Sequence, residues 1–278
     1  MVCLLLAILS SALFSVTTRL SSHRIRSQCG MLAVNYLTCL LIAWAESGFS
    51  SLFPRHDALP QALGMGAVHG FFYMTSFLLM QISIRRNGVV LSATFMKLGL
   101  LVPMAASVFL FGEIPTALQL LGFLLAVAAI VIINSGGETS PVRFRTGLIL
   151  LLLTGGCADA MCKVFEQWGD AELDALFLLY TFLTALLLGV ATMLARGERP
   201  GKAELAFGVL VGVPNYFSAR FLLKALEDIP AVITYPTCNV STLLVVTLTG
   251  ILLFRETLTR RQAIALAIIP AALVLLNL

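Results

Sequence analysis

Long apolar segments, separated by short polar ones, follow each other along the whole chain. A helix that rises 1.5 Å per residue needs about 20 apolar residues to cross a hydrocarbon core about 30 Å thick, and most of these segments reach that length. The polar breaks contain turn-forming pairs such as Ser47-Gly48 and Gly136-Gly137. The pattern predicts ten membrane-spanning helices, over residues 2–20, 29–46, 60–83, 88–112, 115–134, 146–167, 174–195, 204–226, 230–254 and 257–277.

The composition excludes a water-soluble globular domain. Of the 278 residues, 59% are hydrophobic and only 12% are charged, whereas soluble domains carry about 25% charged residues. Too few ionisable groups are present to cover a surface that faces water. The sequence therefore predicts an all-α polytopic membrane protein. Because no basic segment precedes the first apolar stretch and no cleavage site follows it, we expect a retained helix and not a signal peptide.

The basic residues indicate an orientation in the membrane. The formal net charge is +4, but the basic residues are scattered between apolar segments and form no face that could follow a nucleic acid. Thirteen lysines and arginines lie at odd-numbered connections between the predicted helices and three at even-numbered ones. The positive-inside rule then places the odd connections in the cytoplasm and both termini outside. We expect a multi-pass protein of the bacterial inner membrane, in contact with lipid.

One motif occurs twice, at an offset of 143 residues. Phe111-x-Glu113-x-x-Thr116-x-x-Gln119 recurs as Phe254-x-Glu256-x-x-Thr259-x-x-Gln262. The repetition predicts two homologous halves, residues 1–134 and 146–278, joined by the connection 135–145. With five helices each, the second half enters the membrane from the opposite side. Inverted repeats of this kind are typical of alternating-access transporters, whose site lies between the repeats near the bilayer midplane.

These motifs resemble the EamA family of the drug/metabolite transporter superfamily. Phe111-Gly112-Glu113 and Phe254-Arg255-Glu256 are similar to the short loop that ends the fourth and ninth helices in that family, although Arg255 stands where a small residue is usual. The resemblance implies ten helices in two inverted five-helix halves and transport of a small-molecule substrate. It does not indicate which substrate, because the family handles amino acids, nucleobases and many other metabolites.

Charged residues inside the predicted spans are candidates for the transport site, because each costs at least about 2.5 kcal/mol at the centre of a membrane helix. Lys97 lies deepest and either lines a substrate cavity or extends to the interface. Asp159 and Lys163 share a helix face and either pair with each other or leave Asp159 to take up protons as an ion-coupling group. Arg220 either binds a carboxylate or phosphate of the substrate or pairs with Asp159.

Uncharged polar residues add hydrogen-bonding capacity in the same spans. Pro214 is expected to break the hydrogen-bond ladder of the helix that carries Arg220 and to make the freed carbonyl groups available to a ligand. His69 is either an ion-coupling residue or a packed core residue. Glu113 and Glu256 are expected to cap the helices that follow them. The remaining predicted substrate-binding residues are Asn35, Tyr73, Asn215, Tyr216, Tyr235 and Asn239.

The cations in the spans outnumber Asp159, which favours a substrate with an anionic group. The sequence predicts a secondary transporter, an exporter, for a small polar or amphipathic metabolite of this kind. The alternatives are a facilitator for neutral or cationic compounds and a non-transporting membrane subunit. No motif of a hydrolase, a nucleotide-binding loop or a metal site occurs. We therefore expect no enzyme activity, no cofactor and no metal. The oligomeric state is not predicted.

Overall fold

A computed structural model describes residues 1–22, 24–48, 52–134, 144–254 and 259–278. The described part is helical and contains no strand. In it, eight helices are long and apolar enough to cross a membrane, and Ala117–Ile133 forms a shorter apolar helix. The all-α polytopic class is confirmed, whereas ten spanning helices are not. The helices are α1 (Val2–Ser22), α2 (Gln28–Glu46), α3 (Leu59–Asn87), α4 (Val89–Leu98), α5 (Leu101–Phe111), α6 (Ala117–Asn134), α7 (Arg145–Trp168), α8 (Asp174–Ala195), α9 (Lys202–Asp228), α10 (Ala231–Phe254) and α11 (Arg260–Leu276).

The predicted fourth span has a break at Gly99 and Leu100, between α4 and α5. The break is a single distorted turn, because both residues keep right-handed helical dihedral angles and Leu91–Phe111 is still one of the eight segments long enough to cross a membrane. Pro103 has no N–H group, so the carbonyl of Gly99 lacks its usual helical donor four residues later. That carbonyl accepts a hydrogen bond from the Val102 amide instead, at 2.9 Å. Gly156 of α7 packs against the break, and a Cβ atom at Gly156 would lie 2.3 Å from the Gly99 carbonyl oxygen. Pro103 and the two glycines together account for the break.

Pro214 does not end a helix, because α9 continues through this residue from Lys202 to Asp228. The ladder hydrogen bond that proline cannot donate is nevertheless missing there, and a role of the freed carbonyl in ligand binding stays a prediction. Pro236 of α10 and Pro270 of α11 also lie inside uninterrupted helices. A proline removes one hydrogen bond from a helix, and the packing around a membrane helix often compensates for it. Proline alone therefore did not determine where this chain breaks a helix.

The chain divides into two compact units, and each draws helices from both predicted halves. The first unit contains Met1–Met74 and Val164–Glu227, and the second contains Thr75–Lys163 and Asp228–Leu278. In the first unit α2 packs against α8. Glycines of α9 also approach α2 closely there, since a Cβ atom at Gly208 would lie 2.5 Å from the Val34 side chain. This division into compact units does not test the two homologous five-helix repeats, which stay a prediction.

The core of the second unit is built on α6 and α11, the helices that follow the two copies of the repeated motif. Gly122 lies against the backbone of α11, because a Cβ atom there would be 2.9 Å from the Leu276 amide nitrogen. Small residues of both helices are fully buried at this contact, which lets the two backbones approach closely. These residues are Ala126, Ala129, Ala265 and Ala272.

The repeated Thr-x-x-Gln is a helix cap in both copies. The Thr116 hydroxyl accepts a hydrogen bond from the Gln119 amide at 3.2 Å, and the Gln119 side chain accepts one from the Thr116 amide at 3.0 Å. Thr259 and Gln262 form the same reciprocal pair at 3.3 and 3.0 Å. Such a capping box satisfies two amide groups that a helix start leaves without partners. The residues that reveal the repetition therefore begin α6 and α11.

If consecutive spans cross the membrane in opposite directions, all odd-numbered connections lie on one side and all even-numbered ones on the other. The contacts between connecting segments agree with this arrangement. Within each unit, odd-numbered connections of the predicted set contact odd-numbered ones, and even-numbered connections contact even-numbered ones. The contacting pairs are Ser27 with Glu198, His56 with Asp170, and Asn87 with Phe144. This sorting supports alternation of the spans. The side of the membrane on which each set lies stays a prediction from the charge count.

Candidate functional site

The structure divides the ten predicted site residues between two polar clusters, one in each unit. The first-unit residues lie on α2, α3 and α9, and the second-unit residues lie on α4, α7 and α10. The first group consists of Asn35, His69, Tyr73, Asn215, Tyr216 and Arg220, and the second of Lys97, Asp159, Tyr235 and Asn239.

In the second unit, two ionisable side chains of opposite charge interact without direct contact. Lys97 lies in the last turn of α4, immediately before the break, and Asp159 lies on α7. Each is half-buried, and each exerts an electrostatic effect on the other. In the described part of the chain, neither side chain forms an ion pair or a hydrogen bond. The arrangement leaves the hydrogen-bonding capacity of both groups for a third partner.

One polar side chain of α10 contacts the backbone at Asp159, and two others lie on the same helix. The Tyr235 hydroxyl donates to the Asp159 carbonyl oxygen at 2.6 Å, and the Asn239 side chain donates to the Tyr235 carbonyl at 3.2 Å. The Thr237 hydroxyl is buried and has no hydrogen-bond partner among the described residues. Tyr235 therefore joins α10 to α7 beside Asp159. The predicted substrate contacts of Tyr235 and Asn239 stay predictions.

The predicted pair between Asp159 and Lys163 is wrong. The Lys163 ammonium contacts the Glu113 carboxylate instead, at 2.9 Å, and both side chains are largely buried. The second Glu113 oxygen accepts a hydrogen bond from the Val232 amide at 3.1 Å, in the first turn of α10. A carboxylate is favourable there because unpaired amides and the helix dipole make a helix start electropositive.

Glu113 therefore caps a helix of the other half of the chain, and not the helix that follows it as we expected. Thr116 caps that following helix, α6, as described above. Glu256, the equivalent residue of the second motif, lies outside the described residues. The capping hypothesis is therefore corrected for Glu113 and untested for Glu256.

In the first unit, three predicted residues form a buried chain of hydrogen bonds. The Tyr73 hydroxyl donates to the Asn215 side-chain oxygen at 2.8 Å, and the Asn215 amide donates to the Asn35 oxygen at 3.2 Å. The amide nitrogen of Asn35 is buried and has no hydrogen-bond partner among the described residues. An unsatisfied buried donor costs about 1–3 kcal/mol. Water or a polar group of a ligand would satisfy it.

His69 is packed among aromatic rings beside this chain. Its ring stacks on Phe177 with centroids 5.4 Å apart and meets the Tyr73 ring edge-on at 5.8 Å. Nδ1 lies 3.3 Å from the Thr181 hydroxyl. These contacts favour the packing alternative for His69, and its ion-coupling role stays an untested prediction.

Arg220 is the centre of an ion-pair network that the sequence did not reveal. Its guanidinium contacts Glu46 at 2.5 Å and Asp174 at 2.9 Å. Lys224 contacts the same Asp174 oxygen at 3.4 Å, and the Tyr216 hydroxyl donates to Glu46. Within this unit Arg220 thus has two carboxylate partners, and the alternative that paired it with Asp159 stays untested. A cavity of about 320 Å³ adjoins the network, lined in part by Glu46, Asp174 and Arg220.

The two carboxylates of this network were missed because each lies at an end of a predicted span. Glu46 is the last residue of α2 and Asp174 is the first of α8. The sequence signal that could have revealed them is their position. Both carboxylates lie at even-numbered connections, and the basic end of α9 points toward an even-numbered connection too. With two partners in place, Arg220 has less capacity for a substrate anion, and its substrate-binding role stays a prediction.

The chain is similar to known proteins along its whole length. Residues 1–135 match the EamA-like transporter family. An uncharacterized protein of Haemophilus influenzae is 23% identical over 266 residues, covering 92% of this chain and 91% of that one. A protein of known crystal structure aligns with a TM-score of 0.77 at 16% identity, covering 99% of this chain and 98% of that chain. The structural match shows a shared fold.

Proposed function

We propose, from the match of residues 1–135 to the EamA-like transporter family, that this chain is a secondary transporter that exports a small metabolite. The metabolite is polar or amphipathic and bears an anionic group, which the Lys97 ammonium binds. The family match supports transport of a small molecule across a membrane. The anionic group and the direction are the parts that this proposal adds.

The state of Lys97 is the observation that carries the proposal. Two other cations counted inside the spans are already neutralised, Lys163 by Glu113 and Arg220 by Glu46 and Asp174. Lys97, in contrast, has no ion pair or hydrogen bond in the described part of the chain. An ammonium without a partner is costly within a membrane span, so such groups commonly mark substrate or ion pathways.

Asp159 gives this site a way to couple the anion to a proton. While Asp159 is ionised, it partly neutralises Lys97 through space. When Asp159 accepts a proton, Lys97 loses that compensation and binds the substrate anion more strongly. Proton and anion therefore bind together as an electrically neutral set. Transport of this set is independent of the membrane potential, and its direction follows the combined gradients of the proton and the metabolite. It is outward where a metabolite made inside the cell has the larger of the two gradients.

The break between α4 and α5 supports a site at this position. Discontinuous helices form the substrate and ion sites of many secondary transporters. Lys97 lies on the last turn before the break, and Gly156 of the helix that carries Asp159 packs against it. A change at the break would therefore alter the position of Lys97 relative to Asp159.

Flux measurements on the purified protein in liposomes test this proposal. The panel contains amino acids, sugar phosphates, nucleobases and tetraethylammonium, and we expect saturable flux of a compound with a carboxylate or phosphate. Lys97→Met should then raise the half-saturating concentration about ten- to a hundred-fold, the effect of losing a charge-assisted hydrogen bond worth roughly 1.5–3 kcal/mol.

Lys163→Met is the matched control, because it removes the same group from a lysine that already has a partner. It should leave the half-saturating concentration within a few-fold of the wild-type value. Saturable flux of tetraethylammonium without flux of any anion would refute the anionic substrate. Equal effects of the two lysine substitutions would refute the role of Lys97, and absence of flux for every solute would favour a non-transporting subunit.

A further inference from the structure

Asp159 has two lysines within reach, and the structure pairs neither of them with it directly. Lys163 is four residues further along α7, the spacing at which an acid and a following base pair on one helix face. Lys97, on α4, interacts with Asp159 electrostatically. Local geometry alone would favour Lys163, which needs no tertiary contact to reach Asp159.

Glu113 holds Lys163 elsewhere. Its carboxylate contacts the Lys163 ammonium at 2.9 Å and also accepts the hydrogen bond from the Val232 amide. The amide contact secures the carboxylate at the start of α10, so Lys163 meets an anion that is already positioned. The Lys163 ammonium also lies 6.0 Å from the centre of the Phe111 ring, in the range for a cation–π interaction. The ion pair with Glu113 and the contact with Phe111 thus favour this position of Lys163, and the Val232 amide holds the carboxylate in place for it.

From this competition we propose that Glu113 is a positioning residue that diverts Lys163 from Asp159 and thereby keeps Asp159 available to Lys97. This inference rests on the proposed function, in which Lys97 and Asp159 form the transport site. Glu113 need not contact the substrate. It acts by withholding a competing cation, and its loss would let Lys163 form the pair with Asp159 that the local sequence favours.

Chemical labelling of Asp159 tests the diversion without any knowledge of the substrate. N,N′-dicyclohexylcarbodiimide reacts with protonated carboxyl groups in apolar surroundings, and mass spectrometry of the peptide that contains Asp159 measures the extent. Full-length wild-type protein, Glu113→Gln, Lys163→Met and the double variant are reconstituted in the same liposomes. Asp159→Asn provides the background. Glutamine keeps an oxygen for the Val232 amide but removes the charge that holds Lys163.

In Glu113→Gln we expect labelling to slow about ten-fold, since a direct pair worth about 1.4 kcal/mol keeps Asp159 ionised. Lys163→Met should label at the wild-type rate. The double variant should also return to the wild-type rate, because the diverted lysine is no longer present. All three variants lack the ion pair between Glu113 and Lys163. A purely structural role of that pair would therefore change labelling in all three variants, whereas diversion slows labelling only in Glu113→Gln.

Wild-type labelling in Glu113→Gln, or slow labelling in the double variant, would overturn the proposal. If Glu113→Gln does not reconstitute, Glu113→Met replaces it, because methionine also removes the charge that holds Lys163, and a labelling rate equal to that of the wild type would again overturn the proposal. Flux of the solute identified in the panel should follow the same order as labelling. Altered labelling with no flux in any protein would support the diversion while refuting the transport function, so the two failures are distinguishable.

Discussion

Replacement of Arg220 by Met separates a structural role from a substrate role. Methionine keeps an unbranched apolar side chain and a good helix propensity, so α9 itself should be little affected. The substitution removes the guanidinium that contacts Glu46 at 2.5 Å and Asp174 at 2.9 Å. Two carboxylates would then lie close together with Lys224 as the remaining cation of the network.

The burial of the three side chains sets the size of the effect. Arg220 and Asp174 expose only 15% and 8% of their side chains, whereas Glu46 exposes 34%. Removing one partner of a buried ion pair costs about 3–5 kcal/mol. Solvent screens the exposed Glu46, and Lys224 still compensates Asp174 at 3.4 Å. We therefore expect Arg220→Met to lower the free energy of unfolding by about 3 kcal/mol, at the lower end of that range.

Reversible denaturation in detergent micelles measures this loss. Arg220→Lys is the matched control, since it keeps a charge but loses the planar fork, and it should recover part of the stability. Glu46→Gln combined with Arg220→Met should be more stable than Arg220→Met alone, because it removes one uncompensated charge. An Arg220→Met protein of unchanged stability that no longer binds an anionic solute would refute this reasoning and support the substrate role predicted from the sequence.

Two further predictions concern packing and orientation. Gly156→Ala should destabilise the protein by roughly 1–3 kcal/mol, because the added Cβ atom would lie 2.3 Å from the Gly99 carbonyl oxygen; Gly155→Ala, where the corresponding space is open, is the matched control and should have little effect in the same denaturation assay. For the orientation, a cysteine at Arg199 should react with a membrane-impermeant maleimide only after cells are opened, and one at Glu172 should react in intact cells. The reverse result would show that the odd-numbered connections lie outside.

Lys163 shows why part of the candidate site was beyond sequence reasoning. Its spacing from Asp159 is typical of a pair on one helix, and that pair is the expected outcome when only one helix is considered. The observed partner, Glu113, is distant in sequence and comes from the junction of α5 and α6. Its carboxylate is positioned there by the start of α10. The sequence contained every residue of this arrangement but not the distances that decided between two acids.

The sequence by itself determined the properties that depend only on residues close together along the chain. The all-α membrane class follows from apolar segments long enough to cross a bilayer, and the repeated Thr-x-x-Gln caps bond within one helical turn. Charge pairing and helix breaks depended on the tertiary structure. Pro214 lies in a continuous helix, whereas Pro103 adjoins a break, against which Gly156 of another helix packs. The difference arises because ion pairs and close backbone contacts join groups that are distant along the chain, and only the packed helices bring those groups within bonding distance.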